Sequence, residues 1–306
     1  MFDLVTIGHF SIDFIIPLSG GKPRRRLGGP PAYTSISAIK LGAIVSVVSR
    51  SGGDFPETYL KLLMRNGVDL SRLRIDEASK TTSFLIRYRA DGERDMFLKS
   101  RAQLISTEDI EGLEAKVVHI SPIANEVPIT LIKEVAEMVP TVSLDPQGLL
   151  RQFDDEGRVI LRGIDDLNFL KHINIFKASE SEIKALTGLG DVLRALEKIN
   201  RVFGVEVAMA TISRDGTLVS FNKGVFYIPA AQPKRLIDPT GAGDSFMGGF
   251  LAEYIRGKED ILWCASVGSS AASYVIEEIG PKGFKGGKKV YERARLVYEK
   301  IVKIAT

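Results

Sequence analysis

Short runs of apolar, mostly β-branched residues alternate with stretches of helical periodicity along most of this chain. The first run, Leu4–Ile7, is closed by Gly8 and predicts a buried strand. Further strands are predicted at Ile44–Val48, Val117–Ile120, Thr141–Leu144, Ile173–Lys177 and Val205–Thr211. Helices are predicted at Ala32–Leu41, Phe55–Asn66 and Glu180–Leu186. Because strands that alternate with helices form βαβ units, we expect an α/β fold with a central, mostly parallel sheet covered by helices.

One segment departs from this alternation. The runs Thr82–Tyr88 and Arg94–Lys99 flank Ala90–Glu93, whose Asp-Gly pair predicts a tight turn and therefore a β-hairpin. Ser11–Leu18 could add one or two strands to it. A small sheet of this kind would form a lid over the carboxyl ends of the parallel strands, where such folds bind ligands. A simple edge hairpin is the alternative.

Composition excludes several classes of protein. The 306 residues carry a net charge of only +3, so we expect no nucleic-acid partner. No apolar run approaches the roughly 20 residues that a membrane helix requires, so we expect no membrane partner either. Cys264 is the single cysteine, and His9, His119 and His172 show no ligand spacing, so neither a disulfide within the chain nor a zinc cluster is expected. We therefore expect a cytoplasmic protein.

The segment Asp238-Pro-Thr-Gly-Ala-Gly-Asp244 carries the strongest chemical signal. Apolar residues at helical spacing follow it as far as Gly257, so its glycines lie at the start of a helix. Free N–H groups and the helix dipole attract anions there, and Gly241 and Gly243 let a phosphate approach closely. The Asp244 carboxylate either caps the helix or accepts a proton from a hydroxyl during phosphoryl transfer. Local chemistry leaves both roles open.

This segment resembles the C-terminal signature of the ribokinase-like (PfkB) carbohydrate kinases, and the resemblance extends over nearly the whole chain. Gly8–Asp13 is similar to that family's first strand, which ends in a substrate-binding aspartate. Leu27-Gly28-Gly29 is similar to its di-glycine hinge, and Arg50–Asp54 and Asn66–Asp69 are similar to further family segments. The sequence is therefore identified as a member of this family, from two separated motifs at the right distance.

The resemblance implies a single ribokinase-like α/β domain over residues 1–306, with helices on both faces of the sheet and lid strands inserted at about 10–26 and 81–100. It also implies Mg²⁺-assisted transfer of the terminal phosphate of ATP to a hydroxyl, with ADP or another nucleotide left open as donor. The residues it assigns to catalysis are the base Asp244 and the anion-hole N–H groups of Gly241, Ala242 and Gly243.

For the acceptor, the resemblance implies that the Asp13 carboxylate accepts hydrogen bonds from several substrate hydroxyls, since each oxygen can accept more than one. It implies that the backbone of Gly28 and Gly29 lies beneath the sugar. Tyr33 stands where many members have Asn, so it either contacts the acceptor or simply packs in the first helix. Gln147 and Arg151, in Asp145-Pro-Gln-Gly-Leu-Leu-Arg151, follow a predicted strand and face the ligand crevice.

That Asp-Pro-Gln-Gly-Leu-x-Arg segment, together with Tyr33 and Gly268-Ser-Ser-Ala, looks most like the myo-inositol kinase branch. The substrate expected first is therefore myo-inositol, phosphorylated by an enzyme of the myo-inositol 3-kinase type. Kinases for ribose, fructose, 2-keto-3-deoxygluconate or a nucleoside are the alternatives, followed by a catalytically silent sugar-binding regulator. A homodimer that pairs through the lid is a further expectation.

The resemblance also assigns a nucleotide site and a metal contact. The nucleotide-binding residues it implies are Thr211, Ser213, Gly216, Gly243 and Ser269. Glu182 matches the family residue associated with Mg²⁺, which we expect it to bind through water. Ser179 and Glu182 also have the spacing of a helix capping box, and both roles are compatible.

Overall fold

The computed structural model describes residues 1–16, 21–89, 94–212, 214–257 and 260–305. The strands, numbered along the chain, are β1 (Phe2–Ile7), β2 (Ser11–Ile16), β3 (Arg24–Gly28), β4 (Val45–Gly52), β5 (Asp69–Asp76), β6 (Ser83–Tyr88), β7 (Arg94–Ser100), β8 (Ala115–Ile120), β9 (Val142–Leu144), β10 (Arg151–Phe153), β11 (Val159–Leu161), β12 (Ile175–Ser179), β13 (Val207–Ile212), β14 (Gly216–Phe221), β15 (Gly224–Pro229) and β16 (Val302–Ala305). The α-helices are α1 (Pro30–Lys40), α2 (Glu57–Arg65), α3 (Thr107–Ile110), α4 (Ile129–Met138), α5 (Glu180–Thr187), α6 (Val192–Phe203), α7 (Ala242–Tyr254), α8 (Ile261–Val275) and α9 (Gly287–Tyr298). Short 3-10 helices span Asn168–His172 and Gly280–Gly283.

Ten strands form one large sheet in the order β16-β15-β14-β13-β12-β9-β8-β1-β4-β5. The seven strands from β13 to β5 are parallel to one another, as the alternation of strands and helices predicts. The remaining three strands, β14, β15 and β16, extend one edge in antiparallel pairing. The mostly parallel sheet expected from the sequence is therefore confirmed.

Successive residues of the central strands are buried on opposite faces of this sheet. Val117 and Ile175 pack with α1, α7, α8 and α9 on one face. Their neighbours Val118 and Phe176 pack with α4, α5 and α6 on the other face. Side chains alternate between the two faces of a strand, so a strand covered by helices on both sides has to be apolar at consecutive positions.

A second, four-stranded sheet has the order β3-β2-β6-β7, and lies at the predicted lid positions. Its β2 and β6 are parallel, whereas β3 and β7 pair antiparallel at the two edges. The β10–β11 hairpin joins it, since Phe97 of β7 pairs with Arg158 and the Leu98 N–H donates to the Gly157 carbonyl at 2.7 Å. The predicted turn at Ala90–Glu93 and the end of the Ser11–Leu18 run lie outside the described residues.

The first helix begins earlier than its apolar periodicity indicates. It starts at Pro30 and not at Ala32, because proline needs no acceptor for its nitrogen and its fixed φ suits the first helical turn. Gly29, at φ +91°, provides the sharp entry to this helix. Among the residues that the structure describes, no helix is both long and apolar enough to cross a membrane.

Candidate active site

A cavity of about 620 Å³ lies between the carboxyl edge of the large sheet and the small sheet. The carboxyl ends of β9, β12 and β13 contribute Asp145, Lys177 and Thr211 to its wall, and the start of α7 contributes Asp244. Asp13 of β2 lines the same cavity. The structure therefore brings together the two carboxylates that the sequence assigns to the acceptor and to the base.

Helix α7 opens into this cavity with free backbone donors. Gly241 occupies the N-cap position at φ +76°, a conformation that favours glycine. Within the described residues, no hydrogen bond takes up the N–H groups of Gly241, Gly243 or Asp244. The Ala242 N–H instead donates to the Pro239 carbonyl at 3.3 Å. The N–H groups available to an anion are therefore those of Gly241, Gly243 and Asp244, whereas the sequence analysis assigned Ala242 and not Asp244.

The Asp244 side chain does not cap the helix. It belongs to the third residue of α7, and no hydrogen bond among the described residues uses its carboxylate. Burial raises the pKa of Asp244 to about 6; the Lys177 charge lowers it, and the Asp145 charge raises it again. An unpartnered carboxylate at a cavity wall, beside free N–H groups, suits proton abstraction better than capping.

Asp13 is buried in β2 and accepts a hydrogen bond from the Ser11 hydroxyl at 2.8 Å. Burial raises the pKa of Asp13 to about 6, which the Ser11 bond and nearby arginines only partly offset. Gly28 lies opposite, and a methyl group there would come within 2.1 Å of Asp13 Oδ2. Gly29 lines the cavity, and a methyl group there would meet the His9 carbonyl at 2.3 Å. The glycine pair is therefore required by the close approach of this carboxylate and of the backbone.

Gln147 and Arg151 both line the cavity and are bonded to each other. Arg151 Nη2 donates to Gln147 Oε1 at 2.8 Å, and Arg151 Nη1 donates to the Ile123 carbonyl at 2.9 Å. The guanidinium also lies over the Phe84 ring, 5.8 Å from its centroid. Arg151 is thus held in one orientation at the base of the small sheet, with Gln147 beside it.

Tyr33 both packs and lines the cavity, so its two sequence interpretations are compatible. Its ring lies against Gly241, where an added Cβ would come within 2.0 Å of Tyr33 Cδ1, and it contacts Phe284 at 6.0 Å between centroids. The side chain also belongs to the cavity wall.

Lys177 is a charged residue of this cavity that sequence reasoning missed. Its Nζ donates to Asp145 Oδ2 at 2.6 Å, and both side chains are buried. Burial works to lower the pKa of Lys177, but the charges of Asp145, Glu182 and Asp244 outweigh it and raise that pKa above its usual value. The only local signal was a lysine that ends the apolar run Ile173–Lys177, where a parallel strand reaches its ligand-binding edge.

Glu182 faces the cavity from the first turn of α5. Its Oε2 accepts the Ser179 N–H at 2.7 Å and Ser179 Oγ accepts the Glu182 N–H, so the predicted capping box is present. No cluster of three or more His, Cys, Asp or Glu able to hold a metal occurs within the described ranges. One carboxylate at a phosphate site still fits Mg²⁺, which keeps several waters and takes its other ligands from phosphates.

The residues assigned to the nucleotide are only partly brought together. Thr211 lines the cavity, whereas Gly216 and Ser269 are not among the described residues of its wall. The Ser269 hydroxyl donates to the Pro229 carbonyl at 3.2 Å and accepts the Ala231 N–H at 2.9 Å. Ser213 lies outside the described residues, so the nucleotide assignment of these positions stays a prediction.

Comparisons with known proteins agree with this geometry. The sequence model of the pfkB family carbohydrate kinases matches residues 1–284. A cytidine kinase from Thermococcus kodakarensis is 33% identical over 285 residues, which cover 92% of this chain and 98% of that protein. A solved structure of a pyrophosphate-dependent kinase in the ribokinase family is 27% identical, with a TM-score of 0.80, and covers 91% of this chain and 96% of its own.

A further structure, of a pyrophosphate-dependent kinase in the ribokinase family complexed with a pyrophosphate analog and myo-inositol, is 25% identical. Its TM-score is 0.76, and the match covers 96% of this chain and 100% of that chain. The resemblance stated from the sequence motifs is thereby confirmed. The chain belongs to the pfkB family of carbohydrate kinases, has the ribokinase-like fold, and is a carbohydrate or nucleoside kinase.

Proposed function

We propose that this protein is a nucleoside kinase that transfers the terminal phosphoryl group of ATP to a nucleoside hydroxyl with Mg²⁺ present. The observation that carries the proposal is the unpartnered Asp244 carboxylate, which faces the cavity that Asp13 also lines and lies beside the free N–H groups of α7. A hydroxyl held by Asp13 would then meet a base and an anion hole at once.

The proposed chemistry uses Asp244 as the general base. With a pKa of about 6, its carboxylate is ionised at neutral pH and can accept the acceptor's hydroxyl proton. The N–H groups of Gly241, Gly243 and Asp244 would stabilise the negative charge on the phosphoryl group as it moves. Neither role requires any side chain to change its hydrogen bonds first.

The cavity wall supports a nucleoside over a small polyol. Phe84, Ile86 and Met96 of the small sheet form an apolar part of the wall, while Asp13 and Gln147 offer polar groups. A nucleoside has a flat, partly apolar base joined to a hydroxyl-bearing sugar, so it can occupy both parts. The identity with the cytidine kinase, over nearly the full length of both chains, points to the same class of acceptor.

myo-Inositol is the second candidate. The hydrogen-bonded Gln147–Arg151 pair would supply further polar contacts to a ring of hydroxyls, and a 25% identical relative was solved with myo-inositol. A myo-inositol kinase would leave the apolar wall of Phe84, Ile86 and Met96 without a matching part of the substrate. We therefore rank it below a nucleoside.

ATP with Mg²⁺ is the donor that we propose, and pyrophosphate is its competitor, because two similar structures are of pyrophosphate-dependent kinases. Glu182 would hold the magnesium ion through water, and the ion would neutralise charge on the donor phosphates.

We also propose a cytoplasmic location, which the single, buried Cys264 supports. Pairing of two copies through β3 is supported by its position at an edge of the small sheet.

The test is an acceptor screen that follows donor consumption. Cytidine, other nucleosides, myo-inositol, ribose, fructose and 2-keto-3-deoxygluconate are each assayed with ATP, ADP or pyrophosphate and with Mg²⁺. We expect the largest kcat/KM for a nucleoside with ATP, and a loss of that activity in EDTA. A larger kcat/KM for myo-inositol would overturn the acceptor, and a larger one with pyrophosphate would overturn the donor.

A variant of the apolar wall sharpens the choice of acceptor. Met96→Ala should raise the KM of a nucleoside about tenfold, because contact with the base is lost, and leave the KM of myo-inositol within twofold. Met64→Ala is the matched control, since Met64 is 56% exposed and lies on α2. Equal effects of Met96→Ala on the KM of both acceptors would contradict the placement of a nucleoside base against Phe84, Ile86 and Met96.

A further inference from the structure

The β10–β11 hairpin has one face directed into the cavity. Cross-strand neighbours project from the same face of a hairpin, and the register places Leu161 opposite Arg151. Both of these residues line the cavity. Ile160, the residue before Leu161, lies opposite Gln152 on the other face, and neither is among the described residues of the cavity wall. The inner face of the hairpin is therefore part of the candidate active site.

Leu161 leaves an apolar side chain exposed in this cavity. It is 39% exposed, whereas Val159, two residues earlier on the same face, packs against Phe84 and Ile86 of the small sheet. The cross-strand neighbour of Leu161, Arg151, lies over the Phe84 ring, so Leu161 lies close to the apolar part of the cavity wall. Apolar surface at a cavity wall favours a ligand that has an apolar part to cover it.

The turn of the hairpin is held against the small sheet. Arg158 Nη2 donates to Asp95 Oδ1 of β7 at 3.0 Å, and the Gly157 carbonyl accepts the Leu98 N–H at 2.7 Å. The contact is close, since a methyl group on Gly157 would come within 2.4 Å of the Leu98 carbonyl oxygen. The hairpin is therefore fixed against the same strand that carries Met96.

We propose that Leu161 is a specificity-determining residue that contacts the base of the nucleoside acceptor, and that the β10–β11 hairpin forms one part of the base site. This inference rests on the proposed nucleoside kinase function. A flat, partly apolar base removes the Leu161 side chain from water, which a polyol with a hydroxyl on every ring carbon does less well. Leu161 takes no part in phosphoryl transfer, so it should affect the acceptor KM and not kcat.

The first test compares Leu161→Ala with Ile160→Ala. Ile160 is the matched control, because it is a neighbouring apolar residue of β11, 49% exposed, on the face that points away from the cavity. With the nucleoside that the acceptor screen ranks first, Leu161→Ala should raise the acceptor KM at least about fivefold, through loss of apolar contact. The kcat and the ATP KM should stay within about twofold, and Ile160→Ala should leave all three constants unchanged. A smaller rise for Leu161→Ala, or an equal rise for Ile160→Ala, would overturn the proposal.

Two further substitutions at Leu161 separate apolar contact from side-chain size. Leu161→Met keeps an apolar side chain of similar volume and should leave the nucleoside KM within about twofold. Leu161→Asn has a side chain of similar shape but polar, and should raise the nucleoside KM at least about fivefold. A native KM for Leu161→Asn would show that apolar contact with the base does not occur.

Gly157→Ala tests whether the position of the hairpin matters. The added methyl group should push the hairpin away from β7 and raise the nucleoside KM at least about threefold. Gly188→Ala is the control, because Gly188 also has a positive φ, +71° against +81°, and has nothing within 4 Å of an added Cβ. Thermal unfolding of both variants confirms that each is folded at the assay temperature. Equal KM values for the two variants would refute the part of the proposal that concerns the hairpin.

The acceptor screen distinguishes failure of this inference from failure of the proposed function. If the native enzyme phosphorylates no nucleoside, the proposed function fails and the base contact fails with it. If the native enzyme phosphorylates a nucleoside and Leu161→Ala behaves like Ile160→Ala, the nucleoside kinase function stands and only the contact of Leu161 with the base is refuted.

Discussion

The ring of Tyr33 packs so closely on Gly241 that a Cβ on Gly241 would lie 2.0 Å from Tyr33 Cδ1. This contact joins the start of α1, which follows the glycine pair of the proposed acceptor site, to the N-cap of α7, where we propose that the phosphoryl group binds. The Tyr33 ring packed on Gly241 therefore fixes the distance between the proposed acceptor site and the proposed phosphoryl site. A real Cβ does not come this close to a ring, so the glycine cannot be replaced without moving the ring or the loop.

Gly241→Ala should therefore lower kcat at least 10²-fold. The substitution strains a residue at φ +76° and pushes the Tyr33 ring away, which displaces the N–H groups that would bind the phosphoryl group. Gly204→Ala is the matched control, because Gly204 also has φ +76° but has nothing within 4 Å of an added Cβ. It should cost about 1 kcal/mol of stability and leave kcat unchanged. Equal kcat values for the two variants would show that the ring contact does not matter.

Asp13→Asn should mainly affect the acceptor. Because the carboxylate accepts hydroxyl donors, its conversion to an amide should raise the acceptor KM about 10–100-fold, corresponding to one charged hydrogen bond of about 1.5–3 kcal/mol. The donor KM should stay within about twofold. Asp69→Asn is the control, since the Asp69 carboxylate also accepts from hydroxyls, those of Ser46 and Ser71, outside the cavity. A rise confined to the donor KM would contradict the role of Asp13.

The pH dependence of kcat/KM should show an acidic limb near pH 6. Burial raises the pKa of Asp244 to about 6, and only the deprotonated carboxylate can accept the hydroxyl proton, so activity falls as the pH decreases through this value. Asp13, whose pKa is also about 6, should steepen the limb, and Asp13→Asn should make it shallower without removing it. A kcat/KM that stays constant from pH 7 to pH 5 would contradict the assignment of Asp244 as base.

The stability of Asp244→Asn should exceed that of the native protein at pH 7.5, by about 1–2 kcal/mol. The folded-state pKa is raised from 3.8 to about 6, so the folded protein is penalised for holding the ionised form above pH 6. That penalty, and with it the difference in the free energy of unfolding, should vanish as the pH falls below about 4. Urea unfolding of the native protein and of Asp244→Asn, at pH 7.5 and below pH 4, measures this difference in the free energy of unfolding.

Asp191→Ala gives the contrasting case of a carboxylate that does cap a helix. Asp191 Oδ1 accepts the N–H groups of Leu193 and Arg194 at the start of α6. Its loss should therefore lower stability by about 1 kcal/mol and leave turnover unchanged. If Asp244→Asn were destabilised in the same way, the capping interpretation of Asp244 would be restored.

The parallel part of the fold could be predicted because its strands are buried on both faces. Runs such as Val117–Ile120 have to be apolar at consecutive positions, and this is a strong local signal. Strand β5 was missed because five of its eight residues are polar and Ser71-Arg72 interrupts the alternation typical of a half-exposed strand. The antiparallel strands β14, β15 and β16 at the opposite edge were likewise not predicted.

The candidate site could be predicted where its residues form a motif and not where they meet only in the fold. Asp13 and Asp244 were assigned from short motifs, and both line the cavity. The Lys177–Asp145 pair joins β12 to the residue that follows β9, 32 positions away, and a lysine that ends an apolar run has no pattern that marks it as buried. The hydrogen bonds of the Ser269 hydroxyl to Ala231 and Pro229 were equally invisible in the sequence, because they depend on how α8 packs against the chain after β15.

The most direct measurement is single-turnover phosphoryl transfer by Asp244→Asn, with binding of ATP and of the acceptor determined on the same preparation. With Asp244 as the base, the rate of transfer should fall by about 10²–10⁴-fold while both dissociation constants change by less than about threefold. Transfer at close to the native rate, with the fold intact, would show that another group takes the proton.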